Sequence, residues 1–397
     1  MEKQYIGAYL QYYRKSKGMT QSELAQGFCV RQTLSKIEKG LDSVPLKEFL
    51  ALLDHLQLTY LDIDRTIIYR SIETFYLAYL HDQDLVPYFQ EIYSNLNTQD
   101  ILHQEYYQVF QILYTHYIQH KHIPPNTLTQ LLSQRNMYPI HLQYMISHMV
   151  YQIQSLYLSD RKLEKYINNN SLFTSQEPLS IRSEITLLIS LKRYLEAYEL
   201  TQEIYITSQK YSCYTLQLEA LRYVLLLYER IQSVFSYKPI HKIEEFLHLY
   251  STNLKSKQVC DTYYQMATIL LRNHYYSQAY TYFTNCHELF PNLLSTVVFM
   301  NYIALHRSTD LPFITMPIHT LKTNSIYTTI YQYFAYKHRL ISAKVNDLLL
   351  YNGLETYLIT HILDIYIQDH LLHSIMQEEI RVVYHHTKNS RLLPVLG

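Results

Sequence analysis

Between residues 31 and 39 the chain reads Arg-Gln-Thr-Leu-Ser-Lys-Ile-Glu-Lys. At helical spacing Leu34 and Ile37 turn inward, and the outward face carries Arg31, Gln32, Thr33, Ser35 and Lys36. Guanidinium, amide, hydroxyl and ammonium groups leaving the first turns of one short helix form the set that hydrogen-bonds to base edges in a DNA major groove. Nearby lysines and helix N-termini supply phosphate contacts, which fix register without reading sequence.

Other chemistry finds no matching pattern. His116 and His120 stand four apart with His122 beyond, and His370 and His373 stand three apart. Two histidines on a helix can hold zinc, but no H-E-x-x-H occurs and no acid or cysteine at ligand spacing completes either set. With 20 histidines in the chain, chance spacing is the better account, and no metal is expected. The six glycines, Gly7, Gly18, Gly27, Gly40, Gly353 and Gly397, build neither a dinucleotide-binding G-x-G-x-x-G nor a phosphate-binding G-x-x-x-x-G-K. No G-x-S-x-G elbow or Cys/His catalytic motif is present, so no catalytic residues, no cofactor and no enzymatic activity are expected. Cys29, Cys213, Cys260 and Cys286 lie far apart without a C-x-x-C pair, which suits a reducing cytoplasm better than a disulfide framework. The N-terminus lacks a signal-peptide apolar stretch and no apolar run approaches the ~18 residues of a membrane span, so a soluble cytoplasmic protein is expected.

The outward face at 31–36 needs elements to hold it. Ile6, Leu10 and Tyr13 recur at helical spacing, and the basic run from Arg14 to Lys17 ends at Gly18, a glycine stop. Thr20-Gln21-Ser22-Glu23 has the form of a capping box opening a second helix that buries Leu24, Ala25 and Phe28. Gly27 to Val30 forms a short turn, the third helix follows, and Gly40 closes it as a C′ glycine. Pro45 opens a fourth helix, Leu46 to Leu56, with Phe49, Leu50 and Leu53 inward. Charge follows the same division. Residues 1–40 carry seven Lys and Arg against three Glu, whereas the whole chain balances 34 against 34. A local basic excess on a neutral body is the footprint of a protein whose one end meets phosphate.

These residues carry a resemblance. Gly18-x-Thr20-Gln21-x-Glu23-Leu24-Ala25 through Leu34-Ser35-Lys36-Ile37-Glu38-Lys39-Gly40 resembles the Cro/C1-type (XRE) helix-turn-helix of phage repressors over about 60 residues. The turn at Phe28-Cys29-Val30-Arg31 is one residue shorter than most members of that family have, with Cys where Gly is usual, and resembles the PlcR/Rgg-type peptide-pheromone-responsive regulators, the RRNPP group. The resemblance implies that Gln21 and Lys39 contact phosphate and that Arg31, Gln32, Thr33 and Lys36 read bases, with Ser35 on the same face. It also implies that Arg14 pairs with Glu38.

Past residue 64 the sequence is helix after helix with prolines between, and no convincing hairpin of strands. Cys260–Pro291 shows the clearest repeat: Tyr263, Met266, Ala267 and Leu270 form one face, and Tyr276, Ala279, Phe283 and Cys286 the next. That spacing matches a tetratricopeptide (TPR) unit of about 34 residues. The expected fold is all-α, an N-terminal five-helix helix-turn-helix domain over 1–64 followed by a TPR-like α-solenoid over 65–397. The 43 tyrosines, in a chain without tryptophan, are expected chiefly as packing knobs. Tyr264, Thr268 and Leu271, Arg272 and Asn273 at the helix end, and Val298, Asn301 and Tyr302 on the following helix are expected on a concave groove. Tyr, Asn, Arg and aliphatic side chains together suit a short extended peptide.

The resulting expectation is a DNA-binding transcription regulator of operator DNA, controlled by a short peptide as the resemblance to quorum-sensing regulators implies, and acting as a homodimer without a membrane partner. Two alternatives stay open. One is a peptide-independent phage or mobile-element repressor whose repeats only dimerise; the other is a TPR interaction scaffold.

Overall fold

Both glycine stops are visible as the same backbone device. Gly18 and Gly40 have φ of +69° and +68°, the left-handed region that residues with a Cβ rarely adopt. At the first, the N–H groups of Gly18 and Met19 donate to Lys15 and Arg14 carbonyls; at the second, those of Gly40 and Leu41 donate to Ile37 and Lys36. Each is a Schellman closure, which satisfies carbonyls that a helix end would leave bare.

The computed structural model describes residues 2–41, 45–59, 61, 64–97, 99–173, 177–231, 235–306, 311–317, 321, 325–363, 365 and 367–395. Among these residues the secondary structure is helical throughout, without a strand, as the all-α expectation holds. The first helices are α1 (Glu2–Ser16), α2 (Gln21–Ala25), α3 (Arg31–Glu38) and α4 (Leu46–His55), followed by α5 (Thr66–Leu80). α2 stops at Ala25, so Phe28 packs from the turn after it and stays partly exposed. In α4 the expected inward set shifts by one contact: Phe49, Leu52 and Leu53 are buried, while Leu50 faces solvent. The side chain of Ile6, expected in the core of α1, lies outside the described residues.

The chain forms two compact units, Met1–Tyr223 and Val224–Gly397. In the first, α6 (Val86–Asn95), α7 (Ile101–Tyr117), α8 (Pro125–Gln134), α9 (Ile140–Ser155), α10 (Asp160–Asn170), α11 (Pro178–Ser190) and α12 (Tyr194–Lys210) follow α5. α5 packs on α6 and α9, and α11 on α12, so helices adjacent in sequence pair as antiparallel neighbours do in helical arrays. α13 (Tyr214–Ile231) carries the chain from one unit into the other.

In the second unit come α14 (Lys238–Tyr250), α15 (Ser256–Arg272), α16 (Tyr276–Leu289), α17 (Leu294–His306), α18 (Ile326–Ser342), α19 (Asp347–His361) and α20 (His370–Thr387). α15 and α16 form the hairpin that the Cys260–Pro291 spacing predicts. Met266, Ala267 and Leu270 meet Ala279, Phe283 and Cys286 in its buried seam, where the small residues allow close approach. α17 differs: Thr296 to Ile303 are all buried, so this helix has no solvent face over two turns.

Candidate functional site

α1 and α3 cross at a glycine. A Cβ on Gly7 would lie 2.0 Å from the Ile37 carbonyl oxygen, so only glycine lets these backbones touch. Above this contact lies a buried ion pair. Arg14 donates from Nε to Glu38 Oε1 at 2.6 Å, from Nη2 to Oε2 at 3.0 Å, and from Nη1 to the Met19 carbonyl at 2.7 Å. The pair is the one implied by the resemblance, and its fork geometry ties α1 to α3 while also holding the turn before α2. Thr20 caps α2 as the sequence pattern predicts: the Glu23 N–H donates to its Oγ1 at 3.2 Å, and its own N–H donates to Glu23 Oε2 at 2.6 Å. The Thr20 N–H foremost, and the Thr20 side chain after it, hold the Glu23 carboxyl below its ordinary range.

With Leu34, Ile37 and Glu38 buried, the opposite face of α3 is turned to solvent. Arg31, Gln32, Lys36 and Lys39 are exposed there; Thr33 and Ser35 are half-buried at its margins. Gln21, half-buried at the start of α2, donates from Nε2 to Glu38 Oε2 at 2.9 Å and so joins the Arg14–Glu38 pair.

This arrangement is a helix-turn-helix DNA-binding domain: two short helices, a tight turn, and a second helix presenting polar side chains outward from a fixed core. Residues 10–63 match the family model described as Helix-turn-helix, HTH_3, the XRE type. Among solved structures the chain is similar to the crystal structure of Bacillus thuringiensis PlcR in complex with the peptide PapR7 and DNA, at 12% identity and a TM-score of 0.20, over 87% of this chain and 100% of that one. No curated protein matches the chain.

In the second unit the expected groove residues divide. A cavity of about 180 Å³ is lined by Leu271, Arg272 and Tyr302, together with residues from α20 outside the expected groove set, His370, Ser374 and Glu378. Tyr302 donates to Glu378 Oε2 at 2.6 Å across this wall. Arg272 is held by Glu229 through two bonds of 2.8 Å. Tyr264 packs its ring 5.8 Å from Phe283, Thr268 donates to the Gln265 carbonyl, and Asn273 donates to the Ile269 carbonyl at the end of α15. Val298 and Asn301 are in the core rather than on a groove, both at 0% exposure. Asn301 clamps the backbone of Ile314, accepting from its N–H at 2.7 Å and donating to its carbonyl at 3.0 Å. Counting along α17 could not tell groove from core because Thr296 to Ile303 are all buried, although Tyr302 among them lines the cavity.

Behind Tyr302 lies a charged core. Its ring sits 5.0 Å from that of His306, whose Nε2 contacts Glu379. Lys337 Nζ lies 2.8 Å from Glu379 Oε2, and the Tyr333 hydroxyl donates to the same oxygen at 2.8 Å. Burial alone would raise the Glu379 carboxyl, but the hydrogen bond from His306 and the charge of Lys337 reverse this and hold it at about 2. No group of His, Cys, Asp and Glu able to hold a metal occurs among the described residues, and no described helix is long and apolar enough to cross a membrane.

Proposed function

We propose that this protein is a transcription regulator whose helix-turn-helix domain reads operator DNA and whose second helical unit binds a short signalling peptide that controls it. It acts as a cytoplasmic homodimer, since two-fold symmetry brings two recognition helices to half-sites one helical turn apart. It performs no catalysis.

One observation carries the DNA reading. Arg31, Gln32, Lys36 and Lys39 stand exposed around a face whose reverse is locked by Arg14 and Glu38. Long polar side chains held out on a rigid helix are what direct readout requires. The peptide reading is supported by the sequence resemblance and by the cavity beside Tyr302. At about 180 Å³ it is smaller than the roughly 300–1,000 Å³ of whole-ligand pockets, and fits one side chain of an extended ligand. A ligand favouring one arrangement of the helices shifts the population, and with it DNA affinity.

The experiment is a pair of titrations on the full-length protein. Selection from a random duplex pool, followed by footprinting, should yield a protected site of two related halves. Calorimetry with a library of short hydrophobic peptides should find a binder whose affinity drops at least tenfold in Tyr302→Ala. Operator protection without binding at any peptide length would replace this reading with that of a peptide-independent repressor.

A further inference from the structure

The packing of α1 on the segment after α8 leaves a cleft of about 750 Å³ that the DNA-reading face does not account for. It is within the size range of ligand clefts, roughly 300–1,000 Å³. Its walls come from α1, from the end of α3, and from the 3-10 turn Arg135–Met137 with its flanks. Three of its polar side chains already have partners: Ser16 donates to the Tyr13 carbonyl, Ser133 to that of Gln130, and Gln143 to that of Tyr138. Glu38 reaches the wall but is matched by Arg14 and has no exposed side-chain surface. What remains is one sign of charge. Lys15 and Lys39 contribute two ammonium groups, both exposed, Gln11 and Asn136 contribute amides, and Tyr12 a hydroxyl.

We propose that this cleft seats a phosphate group, held by Lys15 and Lys39 as point charges and by the Gln11 and Asn136 amides as neutral donors. Two ammonium groups and two amides in one lining, with the lining's acid Glu38 paired to Arg14, give a site complementary to an oxyanion with several acceptor oxygens. The source favoured by the geometry is the DNA backbone. Lys39 belongs both to the cleft and to the outward side of α3, four positions from Ser35 and seven from Gln32, so the mouth of the cleft adjoins the DNA-reading face. On this account the helical body touches DNA itself, through Asn136, and the footprint extends past the helix-turn-helix. The alternative source of the same chemistry is a free phosphorylated small molecule. The DNA arm rests on the DNA-binding reading above; the cleft itself does not.

The test uses the full-length protein, a 30-base-pair duplex of arbitrary sequence, and inorganic pyrophosphate. Lys15→Ala and Asn136→Ala alter exposed residues, and circular dichroism checks that both variants fold. If a backbone phosphate occupies the cleft, Lys15→Ala lowers the slope of log K against log[KCl] by about 0.9. Asn136→Ala then weakens duplex binding several-fold at every salt concentration without changing that slope. If instead both variants bind duplex normally, but pyrophosphate binds the wild type in calorimetry and neither variant, the cleft takes a free phosphate. Wild-type and variant proteins indistinguishable in both arms would overturn the proposal. So would a slope change in Lys15→Ala with Asn136→Ala unaffected in both arms, since Lys15 would then meet DNA outside the cleft. Failure of the wild type to bind any duplex would sink the DNA-binding reading alone, and pyrophosphate would still decide the cleft.

Discussion

Gln32 and Lys36 sit on the outward side of α3, away from the buried Leu34 and Ile37, so replacing them removes contacts with DNA rather than with the fold. The double change Gln32→Ala with Lys36→Ala should abolish specific footprinting while leaving the unfolding free energy within about 0.5 kcal/mol of wild type. Retained operator protection would show that α3 is not the reading helix. Lys39→Ala should instead weaken binding to every duplex and lower the salt slope by about 0.9. The residue scale is also where sequence reading was sharpest, though not for every contact. Glycine stops, the capping box and the Arg14–Glu38 pair were legible because each depends on residues whose types dictate local geometry. The bond from Gln21 to Glu38 was not, because it joins an amide to a carboxylate 17 positions away. Tyrosine fills cores, in places with a partner for its hydroxyl, as where Tyr76 donates to Glu177 at 2.6 Å, and in places without a hydrogen-bond partner, as at Tyr9.

Between elements, the closest constraint is the crossing of α1 over α3. Alanine favours a helix over glycine by about 1 kcal/mol, which alone would make Gly7→Ala stabilising. A methyl group 2.0 Å from a backbone carbonyl oxygen has no flexible neighbour to displace, however, and overpacking of that kind costs about 1–3 kcal/mol. Steric cost should win, and denaturant unfolding should report Gly7→Ala as destabilised by up to about 2 kcal/mol; a gain would mean that α1 slides freely over α3. In the second unit the ion pair of α18 and α20 gives a larger effect. Lys337→Met leaves the buried Glu379 carboxylate only His306 and the Tyr333 hydroxyl as partners, and denaturant unfolding should report a loss approaching the ~3–5 kcal/mol of a broken buried pair. Existence and order of helices were readable from 3.6-residue periodicity, as the α15–α16 hairpin shows. Facing was not readable where periodicity vanishes, and α17 put Val298 and Asn301 inside for that reason.

At the scale of the whole chain, stability should depend on pH through groups that only the folded state perturbs. His148 is buried against Ser183 and Tyr79, and burial lowers its pKa to about 3. Its folded value lies below the unfolded one near 6.5, so the unfolded chain binds the proton more readily and acid favours unfolding. The stabilisation from neutral His148 is complete above pH ~6.5 and should be lost as pH falls through about 3, on top of the loss from Glu379 below pH ~4.3. Thermal melts from pH 7 to 4 should therefore show a falling midpoint that His148→Gln flattens; an unchanged slope in that variant would assign the loss to other groups. None of these partners was visible in the sequence, because each joins positions tens of residues apart.

The same long-range pairing marks α1. One face of that helix holds Arg14 and Gly7 against α3; another carries Tyr5, whose hydroxyl accepts from the Ile140 N–H at 3.1 Å, and Tyr13, whose hydroxyl donates to the buried Glu105. Tyr138 and Gln134 point at the same carboxylate. A helix used on both sides is a shared wall, and a shared wall cannot be taken with only one of the rooms. Excising residues 1–64, or grafting them onto another sensor, would bare Tyr9 and Tyr13 to water and leave Glu105 facing an empty socket. A transplantable reading head must therefore bring α7 to α9 along with it.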